Sequence, residues 1–188
     1  MTRRPTDPAH FEAMYARDAD PWRFASSDYE RAKYAATLAA LRERRFARGV
    51  EVGCSIGVLS RQLAGRCEAF LGLDVVQAAV DAARVRCADV PHARFEQATV
   101  PEDWPAGVFD LIVFSEVLYY LGSEGLARTA EAVVAGLAPG GVVVLVNWLG
   151  DTGSGVTGNA AAEEFITACR LRVLEAMRTG QYRIDVLG

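Results

Sequence analysis

Short apolar runs alternate along this chain with stretches in which apolar residues recur every three or four positions. The runs over 49–53, 69–73, 109–114 and 142–146 have the length of strands, and the unbroken Val142-Val143-Val144-Leu145-Val146 suits a strand buried on both faces. Residues 58–64, 76–87 and 123–137 show helical spacing instead, the last turning Leu126, Ala130, Val133, Val134 and Leu137 inward. A short strand is predicted near 94–97 and a helix over 160–169. Two strand-like pieces over 171–177 and 182–187 meet around Gly180, a connection so short that they must be antiparallel neighbours. Upstream, Ser27-Asp28-Tyr29-Glu30 reads as a capping box that opens a helix through about Arg44, whereas residues 1–27 are polar, Pro-bearing and aromatic. Strand and helix in alternation predict an α/β fold, a mostly parallel sheet with helices on both faces.

Length and composition narrow this picture. With 188 residues the chain holds one domain of ordinary size, which leaves no room for a separate substrate domain. We divide it into a cap segment with its helix, 1–47, and a main body, 48–188. Lys+Arg 20 against Asp+Glu 24 gives a net charge of -4, the wrong sign for neutralising a nucleic-acid backbone. Cys54, Cys67, Cys87 and Cys169 form no CxxC pair and no ligand spacing with His10 or His92, so neither a metal site nor a disulfide scaffold is expected. No apolar stretch follows Arg3 and Arg4 as in a signal peptide, and none reaches the roughly 20 residues of a membrane span. The expectation is a soluble, cytoplasmic protein.

The sharpest chemical feature is Glu51-Val52-Gly53-Cys54-Ser55-Ile56-Gly57, at the predicted turn from the first strand into a helix. Small residues there let a ligand approach the main chain and the helix N-terminus. The next strand ends at Leu73-Asp74, and 74 − 53 = 21 residues separate the first glycine from this acid, the spacing at which a carboxylate takes ribose hydroxyls. A dinucleotide fingerprint needs glycines at the first, third and sixth positions, where this chain has Gly53, Ser55 and Val58. Glycine at the first and fifth places after Glu51 instead resembles the ExGxGxG loop of class I S-adenosylmethionine-dependent methyltransferases, with Ser55 in the middle place. Asp74, the strand 109–114 followed by Ser115-Glu116, and Leu137-Ala138-Pro139-Gly140-Gly141 match further stations of that family.

The resemblance implies a Rossmann-like sheet of seven strands with an antiparallel last strand, S-adenosyl-L-methionine as cofactor and S-adenosyl-L-homocysteine as product. It carries cofactor contacts onto Glu51, Gly53, Cys54, Ser55, Gly57, Asp74, Val75 and Ser115. Ala98 and Thr99 are placed beside the adenine, although the acid usual in that region is missing from Phe95-Glu96-Gln97-Ala98-Thr99-Val100. Asp20-Pro21-Trp22-Arg23-Phe24, Tyr29-Glu30-Arg31-Ala32-Lys33-Tyr34, Ser115-Glu116-Val117-Leu118-Tyr119-Tyr120-Leu121 and the closing Tyr182-Arg183-Ile184-Asp185-Val186-Leu187 look like the nodulation protein S group within it. That group implies N-methylation of the free amine of a deacetylated chitooligosaccharide, with the N-terminal segment helping to cover the cofactor. Trp22 and Arg31 would then belong to a lid, together with Phe24 and Tyr29.

Displacement at a sulfonium needs alignment and exclusion of water, and an amine must shed a proton before it attacks. Glu116, just past the fourth strand, is the first candidate to receive it, followed by Tyr119 and Tyr120. Trp104 and Trp148 are candidates for stacking on a sugar or for rim packing. Ser115-Glu116-Val117-Leu118 does not match the Asn/Asp-Pro-Pro-Tyr/Phe motif of enzymes acting on bases or glutamine amides. The expected partner is a small-molecule acceptor such as an amino sugar or oligosaccharide, with neither nucleic acid nor membrane involved. An O-methyltransferase of secondary metabolism and a non-catalytic cofactor-binding module are the competing readings.

Overall fold

The computed structural model describes residues 6–188; residues 1–5, and with them the reading of Arg3 and Arg4, lie outside the described part. The chain forms the expected α/β fold, a seven-stranded, mostly parallel sheet with an antiparallel last strand and helices around it. It divides into two compact units, one of residues 7–98 and one of 99–188 together with Thr6.

The first unit runs α1 (Pro8–Arg17), α2 (Asp28–Ala40), β1 (Phe46–Val52), α3 (Val58–Ala64), β2 (Cys67–Asp74), α4 (Gln77–Arg86) and β3 (Ala93–Gln97). Its strands lie in the order β3-β2-β1 and are parallel, with Val52 opposite Leu73 and Asp74 opposite Gln97. Half of the capping box forms: the Ser27 side chain accepts from the Glu30 N–H at 3.3 Å and opens α2, whereas the Ser27 N–H goes to the Arg23 carbonyl and the helix ends at Ala40 rather than near Arg44. α1 was not anticipated, although its start is conventional, with Asp7 accepting from the Ala9 N–H at 3.0 Å and Pro8 in the first turn. Val50, Leu63, Val80 and Ala83 are fully buried between strands and helices.

The second unit runs β4 (Phe109–Ser115), a 3-10 turn at Leu118–Tyr120, α5 (Gly122–Gly136), β5 (Leu137–Trp148), α6 (Gly158–Cys169), β6 (Val173–Arg178) and β7 (Tyr182–Leu187). The order is β4-β5-β7-β6; β4 and β5 are parallel, and β7 is antiparallel to both β5 and β6. β5 begins five residues earlier than the apolar run predicts, at Leu137 rather than Val142. Pro139-Gly140-Gly141 is absorbed as an irregularity, because the register with β4 shifts between Phe109↔Leu137 and Leu111↔Val142. A Cβ at Gly141 would stand 2.9 Å from the Ala138 carbonyl and 3.1 Å from Asp110 Cα, so only glycine passes there.

Candidate functional site

In the first unit the glycine loop leaves the carboxyl end of β1, where Gly53 and Cys54 both donate their N–H to the Leu73 carbonyl at 2.9 Å. Three of its residues are left-handed, Gly53 at φ +84°, Ser55 at φ +48° and Gly57 at φ +78°. Gly57 caps α3, and a Cβ on it would lie 2.9 Å from Ala83 Cα, so the glycine is what lets the loop settle against α4. Asp74 ends β2 beside this loop. Its Oδ2 accepts from the Ser55 N–H at 2.9 Å and its Oδ1 from the Val76 N–H at 3.0 Å. Burial raises its pKa, and the N–H groups of Val76, Ser55 and Val75 work the other way. The Ala98 N–H donates to the Asp74 carbonyl at 2.9 Å, and the Gln97 amide to that of Val75 at 2.9 Å, so β3 ends against the same corner.

Glu51 turns inward. It is 1% exposed, its Oε2 accepts from the Ser60 hydroxyl at 2.5 Å, and burial pushes its pKa up to about 8 despite that bond. The Cys54 thiol is likewise buried, which carries its pKa well above the ordinary thiol range, so the residue contributes backbone rather than a nucleophile.

Sequence reasoning missed Tyr15. From α1 its hydroxyl meets the Ser55 hydroxyl at 2.5 Å, which gives the residue in the middle place of the loop a partner. Burial, then the charge of Asp74, raises the phenol pKa further. Around Tyr15, Trp22 packs edge-on at 5.6 Å and stacks on Phe24 at 5.5 Å, and together with Phe11 they close over Ile56, Val76 and Ala79. Trp22 and Phe24 therefore do join the loop. Arg31 does not: it lies on α2, its guanidinium bound to Asp28 and to the Ser26 carbonyl, with 59% of its side chain exposed.

The second unit holds the other candidates. After Ser115, which pairs with Val146, the chain passes through Glu116 at φ +60°, a left-handed conformation that carries strain in a glutamate. Glu116 Oε2 accepts from the Tyr119 hydroxyl at 2.6 Å and from the Trp148 N–H at 2.7 Å, and its own N–H donates to the Val146 carbonyl at 2.9 Å. Tyr120 stands edge-on to Tyr119 at 4.6 Å; burial, then Glu116, pushes its pKa up to about 12. Thr99 is tied into its own loop, donating to Asp103 Oδ2 at 2.9 Å. Trp104 stacks on Phe114 at 6.2 Å and belongs to the packing, whereas Trp148 is 38% exposed at the end of β5. Among the described residues no helix is long and apolar enough to cross a membrane.

The first unit thus offers a backbone cradle, a carboxylate and an aromatic wall, suited to a polyhydroxylated ligand with an apolar part. The second offers a carboxylate held in place by two donors, suited to a basic nitrogen.

A family model described as Nodulation protein S (NodS) matches residues 12–178. Nodulation protein S of Rhizobium tropici is 37% identical over 127 residues, covering 66% of this chain and 53% of its own. Its counterpart in Sinorhizobium fredii (strain NBRC 101917 / NGR234) is 35% identical over 127 residues, covering 66% and 59%. The chain therefore spans about half the length of the curated relatives it matches. The solved N-methyltransferase NodS from Bradyrhizobium japonicum WM9, in complex with S-adenosyl-L-homocysteine, superposes with a TM-score of 0.83 at 27% identity over 95% of this chain and 96% of that one.

Proposed function

The chain belongs to the nodulation protein S family, and from that premise we propose that it is an S-adenosylmethionine-dependent methyltransferase acting on the amine of a small molecule. The observation that carries the reading is Glu116, strained at φ +60° and held by the Tyr119 hydroxyl and the Trp148 N–H.

The residues present fit the cofactor. Both oxygens of Asp74 accept backbone N–H groups, and a carboxylate with about four lone-pair sites has capacity for a further donor, which ribose hydroxyls supply. Gly53, Cys54, Ser55 and Gly57 present main chain to it, with Glu51 behind them bracing the loop through Ser60. By resemblance to the family we assign further cofactor contacts to Trp22, Val75, Ala98, Thr99 and Ser115. Arg31 reaches the methionine carboxylate only by releasing Asp28. When bound, S-adenosylmethionine supplies the electrophilic methyl group.

Glu116 accepts hydrogen bonds from the acceptor ammonium and takes the proton that must leave before the nitrogen lone pair attacks. Tyr119 and the Trp148 N–H keep Oε2 from turning away, which leaves the carboxylate preorganised. Tyr120 flanks Tyr119 and narrows the access of water. For the acceptor we propose an amino sugar, in particular a deacetylated chitooligosaccharide.

Methyl-labelled S-adenosylmethionine with de-N-acetylated chitotetraose tests this. The expected product carries label on nitrogen, and the fully N-acetylated oligomer gains none. Label on oxygen favours the O-methyltransferase reading, and binding without transfer to amines or hydroxyls favours a non-catalytic module.

A further inference from the structure

Asn147 is the penultimate residue of β5, and its side chain is 0% exposed with no hydrogen-bond partner at Oδ1 or at Nδ2. Its environment is polar yet already committed. Arg183, directly opposite on β7, gives its guanidinium to Asp185 through two bonds of 2.7 Å, to Asn159 Oδ1 at 2.7 Å and to Glu163 Oε1 at 2.7 Å. Above, α6 begins so close that a Cβ on Gly158 would lie 3.0 Å from Asn147 Cβ and 2.0 Å from the Trp148 carbonyl. Burying an amide with neither half paired costs stability, a penalty that an apolar side chain would not carry. A structural role does not account for asparagine here.

Its neighbours point to a use. The Val146 carbonyl on one side receives the Glu116 N–H at 2.9 Å, and the Trp148 N–H on the other holds Glu116 Oε2 at 2.7 Å. The unpaired amide and the fixed carboxylate thus belong to one short stretch of chain. We propose that Asn147 binds the methyl acceptor: its carboxamide, a donor beside an acceptor, takes a hydroxyl next to the amine that Glu116 takes, so the substrate class is a vicinal amino alcohol. Because Asn147 is fully buried, this binding requires the segment 149–157, which carries Gly153 at φ +69° and Gly155 at φ +75° in open space, to shift. This rests on the function proposed above.

Asn147→Leu is the test, with Thr129→Val as control, since Thr129 is another fully buried residue whose hydroxyl has no partner but lies on α5. In Asn147→Leu S-adenosylmethionine affinity stays within about twofold, and KM for de-N-acetylated chitotetraose rises about tenfold or more. Thr129→Val changes neither constant. Asn147→Ala, which trades volume for certainty of folding, shows the same KM increase. An unchanged KM in both variants overturns the role of Asn147. If the wild-type chain transfers no methyl to the oligomer, the function falls and this assignment with it; transfer by the wild type with no change in the variants removes Asn147 alone.

Discussion

Glu116 and Asp74 do opposite things with the same functional group. Asp74 accepts from backbone N–H groups of its own corner, among them Ser55 and Val76, and so is part of the loop's geometry. Glu116 is reached by donors 3 and 32 residues away and sits in a backbone conformation that glutamate disfavours, a pattern associated with function. Glu116→Gln keeps an oxygen for the Trp148 N–H but loses the charge and the basicity. We expect its kcat to fall about a hundredfold or more, with S-adenosylmethionine affinity unchanged by calorimetry; near-normal turnover would leave the proton to another group. Both carboxylates were legible in the sequence because each follows an apolar strand, where ligands gather in such sheets. Tyr15 and Asn147 were not. Nothing local distinguishes a tyrosine whose partner lies 40 residues on, or an asparagine whose distinction is having no partner.

Among the elements, the periodic ones were read correctly in kind and erred at their ends and at Val134, which was read as inward on α5 but is 47% exposed. α5 and α6 begin at Gly122 and Gly158, one and two residues ahead of the helices predicted from 123 and 160. β5 runs through a Pro-Gly-Gly that ordinarily breaks a strand, since the register shift against β4 accommodates the extra residues. α1 went unread although Phe11, Met14 and Tyr15 recur at helical spacing and Asp7-Pro8 is a serviceable start signal, because the helix is only ten residues long and lies in a polar stretch. What seats α1 is Tyr15, through the Ser55 hydroxyl and the rings of Trp22 and Phe24. Tyr15→Phe keeps the packing and strands the buried Ser55 hydroxyl, so the melting temperature should drop by about 2–4 °C. Amide hydrogen exchange in α1 should speed up; exchange at the wild-type rate would mean that the aromatic packing alone holds the helix.

For the molecule as a whole, the response to pH turns on a carboxyl that faces no solvent. Glu51 has its pKa raised by burial from 4.5 to about 8. Between those values it binds a proton in the folded chain and has lost it in the unfolded one, so folding takes up a proton. Its contribution is fully present below about pH 4.5 and is lost progressively up to about pH 8. The melting temperature should therefore decline across that interval, and Glu51→Gln should flatten the decline; an unaltered slope in the variant would locate it elsewhere. By itself the sequence determined the α/β alternation, the antiparallel final hairpin, the glycine loop, the acid 21 residues on and the carboxylate after the fourth strand, with 74 − 53 giving that spacing. These are properties of neighbours along the chain, set by side-chain period, backbone permissiveness and contour length. Only the tertiary structure decided that Ser55 meets Tyr15, that Glu51 loses its water, that Trp148 holds Glu116 and that Asn147 is buried unpaired. Each depends on which distant segment packs against which, and the energy of such contacts leaves no periodic trace in the chain.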